Sequence, residues 1–306
     1  MSTPSTIRSD LAPGGKLRAG INYSNFVLVR KDPESEEPQG IAVELAREVG
    51  RRLDLPVEFV AFETAGRMAE AVNSGTWDIA FLSNEPERAQ EILFTPAYLE
   101  IEAGYVVPRG SAIQSIAEVD RDGVRIAVGD KSAYDLFLSR ALKHATIVRA
   151  PGMNASCDVF VAQTLDALAG IKPWLVMIAE KLPGSRLLDG HFMTVEQSIG
   201  VPRGRESGAK YLREFVQDVK TSGFLDQAIR RAVREAQARQ RAASRNRPPL
   251  QRTRHRAEQG VGFHREPSRS FLKSVVVTKG TARYTGSVTM VVTVNHSSPF
   301  GSLKRS

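Results

Sequence analysis

The stretch from Gly75 to Arg88, Gly-Thr-Trp-Asp-Ile-Ala-Phe-Leu-Ser-Asn-Glu-Pro-Glu-Arg, constrains the fold more than any other part of this chain. Asp78 to Leu82 reads as a buried strand, and Ser83 and Asn84 fall where a parallel strand ends. Glu85-Pro86-Glu87 reads as a helix start with proline at its first position, so Arg88 is expected one turn into a helix. Such a corner collects anion-binding groups: backbone N–H groups, a hydroxyl, and a guanidinium able to grip a carboxylate with two parallel hydrogen bonds. The same residues would also suit an ordinary strand-to-helix turn with a surface arginine, so the corner alone does not choose between them.

The surrounding sequence alternates strand and helix. Leu17 to Ile21 is a short apolar strand that delivers Asn22, Tyr23 and Asn25 to its C-terminal end, the end at which open α/β sheets bind ligands. Phe26 to Arg30 is expected to be extended, and Asp32 to Gln39 a solvated loop. From Gly40, the recurrence of Ile41, Leu45, Val49 and Leu53 marks an amphipathic helix. Further along, Ser115 to Val119 is expected to be helical and Val124 to Val128 a strand. It ends in Gly129-Asp130-Lys131-Ser132, where Ser132 and Asp135 resemble a capping box in front of a second helix. Asp166 falls at the same place relative to its strand as Asp78 does in the first half. Trp174 is expected to be a core residue.

Charge is segregated. Of the net +8, Arg241 to Ser306 carries thirteen Lys and Arg against two Glu, which leaves the body near −3. Those arginines lack interleaved aromatics or a known module and imply only salt-sensitive, nonspecific attraction to nucleic acid, not a specific nucleic-acid partner. Cys157 is the only cysteine, so no intrachain disulfide can form. The N-terminus lacks a secretory apolar stretch and no run is long enough to span a bilayer, which gives a cytoplasmic product as written. His144 and His191 are the only histidines of the body, and neither sits in a metal or nucleophile motif; no cofactor is expected.

Five pieces then occur in a fixed order: Gly15-Lys16-Leu17-Arg18-Ala19-Gly20-Ile21-Asn22, Gly40-Ile41-Ala42-Val43-Glu44-Leu45-Ala46, Trp77-Asp78-Ile79-Ala80, Pro86-Glu87-Arg88 and Phe94-Thr95-Pro96-Ala97-Tyr98. In that order the chain resembles the bacterial extracellular solute-binding proteins of family 3, the polar amino-acid receptors of ABC importers, from about Gly15 to Ala236. The resemblance implies an α/β fold of the two-lobed periplasmic-binding-protein type II architecture. Each lobe would be a mixed sheet flanked by helices, with two hinge crossings and a disordered basic tail. Residues 13–108 would form lobe one, with a crossing at Val106 to Gly110, and 109–191 lobe two. Residues 192–240 would return to lobe one, and 241–306 would be the tail.

By the same resemblance, a small carboxylate-bearing solute, a polar amino acid or a related organic acid, would lie in the inter-lobe cleft. Arg88, Ser83 and Asn84 of lobe one would face Ser132 and Ala133 of lobe two, and Asn22 and Asn25 would add neutral hydrogen bonds. The chain departs from the family twice. Ala65 beside Gly66 stands where an aromatic residue often covers the ligand, and Gly170-Ile171-Lys172 stands where an acid usually receives the α-ammonium. A lysine cannot accept from an ammonium. Lys172 would instead be a second cation for a carboxylate or dicarboxylate. The expected partner is an ABC permease, with no membrane span in the chain and a monomeric state. The family is usually exported, so a cytosolic relative stays open, as does a prephenate- or arogenate-type dehydratase on the same fold with Glu63 or Glu85 as general acid.

Overall fold

The computed structural model describes residues 4–32 and 34–245, together with three strands at 275–278, 281–285 and 289–293. The first lobe opens with α1 (Pro4–Leu11), β1 (Leu17–Asn22), the short pair β2 (Arg30–Lys31) and β3 (Pro38–Gln39), and α2 (Ile41–Leu53). It continues with β4 (Val57–Phe62), α3 (Ala65–Glu70), β5 (Ile79–Ser83) and β6 (Ile92–Phe94). Strand β7 (Leu99–Val107) leads into the second lobe, which holds β8 (Arg125–Gly129), α4 (Ala133–Ala141), β9 (Thr146–Ala150), α5 (Met153–Ala162), β10 (Ala167–Ile171), α6 (Lys172–Lys181) and β11 (Arg186–Leu187). Strand β12 (Met193–Pro202) returns to the first lobe, where α7 (Glu206–Thr221) and α8 (Phe224–Arg245) follow, and then β13 (Val275–Thr278), β14 (Thr281–Thr285) and β15 (Thr289–Thr293).

Each lobe is centred on a parallel triplet. Strand β1 lies between β4 and β5, and β8 lies between β9 and β10. All five residues of β5 and of β10 are buried, as strands covered on both faces must be. The two sheets meet at β7, whose Leu99–Ala103 segment pairs antiparallel with β12 while Ala103–Val106 pairs with β10. The change of partner therefore happens inside a continuous strand. On β12, Gln197–Gly200 crosses to pair with β5.

The two aspartates expected at matching places make matching bonds. Asp78 N–H donates to Arg18 C=O at 2.8 Å, and the Asp78 carboxylate accepts from Arg18 N–H at 3.0 Å. Asp166 does the same with Arg125, at 3.0 and 2.8 Å. Asp78 is fully buried and also receives Arg18 Nε and Arg205 Nη1, at 2.9 and 3.0 Å. Burial alone would push this carboxyl up, but the bonds from Arg18 and Arg205 outweigh it and hold the pKa below the usual value.

Helix α2 buries Ile41, Leu45, Val49 and Leu53, the spacing read from the sequence. Gly40 precedes it at φ 121°, where a Cβ would come within 2.4 Å of the Leu28 carbonyl oxygen, so only glycine admits this approach.

Three local expectations are corrected. Phe26–Val29 is not extended, since Leu28 and Val29 N–H both donate to Asn25 C=O at 3.0 Å and close a turn; only Arg30 of the stretch is extended, as the first residue of β2. No α-helix follows Pro86; only a single 3₁₀ turn forms, Arg88–Gln90, because Ile92 already belongs to β6 and must pair with Pro202. Ser115–Val119 likewise gives only a 3₁₀ turn, Ile116–Glu118. Within the C-terminal tail, β13, β14 and β15 pair antiparallel in sequence, and Val292 of β15 pairs with Ile101 of β7. Residues 246–274, with most of the tail arginines, lie outside the described residues.

Helix α1 precedes the stretch that carries the resemblance, yet it belongs to the core. Leu11 is 0 % exposed, Asp10 Oδ2 accepts from Gly208 N–H at 2.9 Å, and a Cβ on Gly208 would meet Leu11 Cδ2 at 2.6 Å. Leu11→Ala is therefore expected to lower stability by roughly 2–5 kcal/mol in urea unfolding.

A second expectation concerns acid. Hydrogen bonds from Arg51 at 2.7 and 2.8 Å hold Glu48 down to about 2, against the opposing effect of burial and with Arg52 adding a bond at 2.7 Å. An unfolded Glu titrates near ~4.3, so the unfolded chain binds the proton first. The stability from this pairing is complete above that value and is lost as pH falls towards 2. Glu48→Gln should be less stable at pH 7, and its urea midpoint should change less than the native one between pH 5 and pH 2.5.

Candidate functional site

The loops at the C-terminal ends of β1, β5 and β8 converge between the lobes. There they line a cavity of about 60 Å³ beside an outer cleft of about 760 Å³, and the two share Ser24, Thr64, Asp130, Gly152 and Met153.

From lobe one, the cavity is lined by Asn22, Asn25 and Ser83. Asn22 ends β1, and its Oδ1 accepts from Ser24 N–H at 2.9 Å, which leaves the Asn22 amide N–H₂ as a donor. The Oδ1 of Asn25 is buried and has no hydrogen-bond partner. Ser83 ends β5, and its Oγ accepts from Arg88 Nη1 at 2.6 Å, so the Ser83 proton is available to another acceptor.

From lobe two come Ser132, Ala133 and Tyr134 at the start of α4. Ser132 Oγ caps this helix by accepting from Asp135 N–H at 3.1 Å, and Ser132 N–H is already taken by Gly129 C=O at 3.2 Å. The capping box is not closed in the expected way: the Asp135 carboxylate accepts from Lys131 N–H at 2.8 Å instead of from Ser132 N–H. Ala133 is in the first turn, where N–H groups have no intrahelical acceptor. The Tyr134 hydroxyl is buried beside the Ser132 side chain, and burial raises its pKa.

Three expected residues stand apart from the cavity. Arg88 is not a surface arginine: it is 6 % exposed, lies behind Ser83, and donates from Nη2 to the Lys131 carbonyl at 2.9 Å. Burial lowers its pKa to about 10, so it stays charged at neutral pH. Asn84 is exposed and its N–H is used by Glu196 C=O at 3.0 Å. Lys172 is held by Glu102 at 2.6 Å and does not line the cavity, whereas Ile171 just before it does. Glu85, one of the two candidate acids, is 5 % exposed and paired with Arg140 at 2.9 Å, outside the cavity. Glu63, the other, lines the outer cleft.

Sequence reasoning missed Thr64, Tyr134 and Gln197, which also line the cavity. Thr64 Oγ1 accepts from Arg67 N–H at 3.2 Å and caps α3, a signal readable as a β-hydroxy residue just before a helix. Tyr134 follows Ala133 directly. Gln197 lies on β12, more than a hundred residues from the lobe-one loops after β1 and β5, and carries no local signal. Among the described residues no group of His, Cys, Asp and Glu could hold a metal ion.

The family model for bacterial extracellular solute-binding proteins, family 3, matches residues 17–234. The chain belongs to that family. This solute-binding protein is 20 % identical, over 224 residues, to the ABC transporter glutamine-binding protein GlnH of Bacillus subtilis, covering 72 % of this chain and 82 % of GlnH. Among solved structures it is similar to the solute receptor for L-cysteine of Neisseria gonorrhoeae, with 22 % identity, a TM-score of 0.63, and 76 % and 93 % of the two chains covered. It is also similar to AncCDT-1, an ancestral amino acid-binding protein that is a precursor of cyclohexadienyl dehydratase, with 19 % identity, a TM-score of 0.61, and 73 % and 97 % covered. These likenesses establish the two-lobed fold. No helix among the described residues is long and apolar enough to cross a membrane.

In this solute-binding protein the lobes are drawn together by three polar contacts: Arg88 to the Lys131 carbonyl, Lys131 Nζ to Glu70, and Arg140 to Glu85. Gly66, in the first turn of α3, permits that approach, since a Cβ there would come within 2.7 Å of the Lys131 Cβ in the other lobe. Alanine favours a helix over glycine by up to about 1 kcal/mol, so Gly66→Ala should leave melting temperature level or slightly raised. The same variant should hold the lobes apart, visible as a larger radius of gyration in small-angle scattering.

Proposed function

We propose that this chain binds a small carboxylate-bearing solute between its lobes and serves as the substrate-binding component of an ABC-type importer. The observation that carries this reading is the inter-lobe cavity, which both lobes line and which presents hydrogen-bond donors from each. Ser83 Oγ–H and the Asn22 amide face it from one side, and the first turn of α4 from the other. These are neutral donors suited to a carboxylate, backed by the positive end of a helix and by the Arg88 charge behind Ser83. Arg88 acts through the serine: by donating to Ser83 Oγ it turns the serine proton towards the ligand.

Family membership and the names of the relatives, which bind glutamine and L-cysteine, support a small polar solute. Non-enzymatic binding fits the cavity better than dehydration does, because Glu85 is engaged with Arg140 and Glu63 lies in the outer cleft. The importer's permease would be the macromolecular partner.

A thermal-shift screen of the full chain against polar amino acids and simple carboxylates tests this. At a hundred times Kd, a true ligand stabilises by about 2.7 kcal/mol, unchanged in composition after incubation. Ser83→Ala should weaken that ligand roughly 10- to 100-fold, the worth of a hydrogen bond to a charged group. A screen in which no compound raises the melting temperature, or in which Ser83→Ala binds as tightly as the native chain, would refute the reading.

A further inference from the structure

Resting on the binding reading above, we infer that the head group accepted by the inter-lobe cavity is a 2-hydroxy carboxylate and not an α-amino acid. The cavity is several times larger than the ~10–15 Å³ that one water requires, and it has room for a small head group while any remainder extends into the outer cleft. Its hinge-side walls are apolar, Ile171 and Val195, and its side-chain polar groups are neutral amides and hydroxyls. Asp130 is the one carboxylate that reaches it. That residue is exposed at the mouth shared with the outer cleft, and Arg149 stands 3.9 Å away.

An ammonium taken into such a space would lose part of its hydration and find no countercharge except the exposed Asp130, at a cost of up to several kcal/mol if fully buried. A hydroxyl has no such requirement. It needs one acceptor for its proton and can itself accept, and two residues that line the cavity offer those functions: Asn25, whose buried Oδ1 has no hydrogen-bond partner, as acceptor, and the Tyr134 hydroxyl, beside the Ser132 side chain, as donor. An acceptor such as Asn25 Oδ1 is costly to leave unpaired, and a ligand hydroxyl donating to it would relieve that cost. The carboxylate of the same ligand then takes the donors of Ser83, Asn22 and the α4 first turn.

The test uses isosteric pairs on the full chain: glycolate against glycine, and lactate against alanine, by calorimetry at pH 7. Each pair differs only in hydroxyl against ammonium. The hydroxy acid is expected to bind at least about a hundredfold more tightly than its amino counterpart, as for sites whose polar groups match only one partner. Asn25→Asp places a carboxylate at the same position with nearly the same shape, so it should reverse the preference within each pair. Circular dichroism and the unliganded melting temperature check that this variant is folded, and the native-chain comparison stands without it. If the amino acids bind the native chain as well as the hydroxy acids do, this inference is overturned while solute binding survives. If neither member of either pair binds but a larger amino acid from the thermal screen does, it is likewise overturned. If nothing in the thermal screen binds at all, both readings fall together.

Discussion

A guanidinium cannot be buried alone, and in this fold the buried guanidinium of Arg88 has its acceptors divided between two lobes. Ser83 supplies Oγ and its carbonyl from the first lobe, and Lys131 supplies its carbonyl from the second. Burying a charge without partners costs far more than one good hydrogen bond returns. Arg88 is therefore fully satisfied only where the lobes meet, and the closed arrangement is the one in which its desolvation is offset. That requirement links the cavity floor to lobe closure through one side chain, since the serine it orients is also a wall of the cavity.

The second lobe is built to present that carbonyl. Lys131 has φ 52°, a left-handed conformation that favours glycine and costs a lysine of the order of 1 kcal/mol. Asp135 offsets it by accepting Lys131 N–H, and Arg149 in turn holds Asp135 with Nε at 3.0 Å. The lysine side chain is then aimed at Glu70 of the opposite lobe. A glycine at this position would adopt the same turn more readily but would forfeit that ion pair. Gly66 complements the arrangement from lobe one by having no side chain where the Lys131 Cβ arrives. Strain on one side and an absent Cβ on the other are both consequences of two backbones approaching closely.

Much of this was legible in sequence because it is set by local periodicity. The four-residue recurrence of Ile41 to Leu53 gave α2, and the equivalence of Asp78 and Asp166 was visible as the same residue ahead of two similar apolar runs. Serine before Ala133 announced the α4 cap. What failed depended on distant pairing. The helix expected after Pro86 is cut to one turn because β6 must reach β12, whose partners lie more than a hundred residues away. Lys172 looked like a cation for the ligand because its neighbour across the sheet, Glu102, is seventy residues distant in sequence. Asn84 looked like a donor until Glu196 on β12 took its N–H. Arg88, expected one turn into a helix, instead opens a single 3₁₀ turn and is buried, since a short loop gives no sign of which surface will cover it.

The distribution of charge in the cleft gives the arrangement its logic. Charged groups line the outer space, where Glu63, Arg67, Glu70, Asp130 and Lys131 meet water and the Lys131–Glu70 pair is exposed and screened. The inner space behind them is lined, apart from Asp130, by uncharged groups. Long-range attraction at the entrance discriminates weakly among small ions of similar charge, because solvent and salt reduce every interaction there. Discrimination has to come from the inner cavity, where each polar group of the ligand must either find a partner or bear its full desolvation cost. A cavity of neutral amides and hydroxyls between apolar hinge strands thus selects chiefly by what it leaves unpaired, and a carboxylate served from both lobes is the group it penalises least.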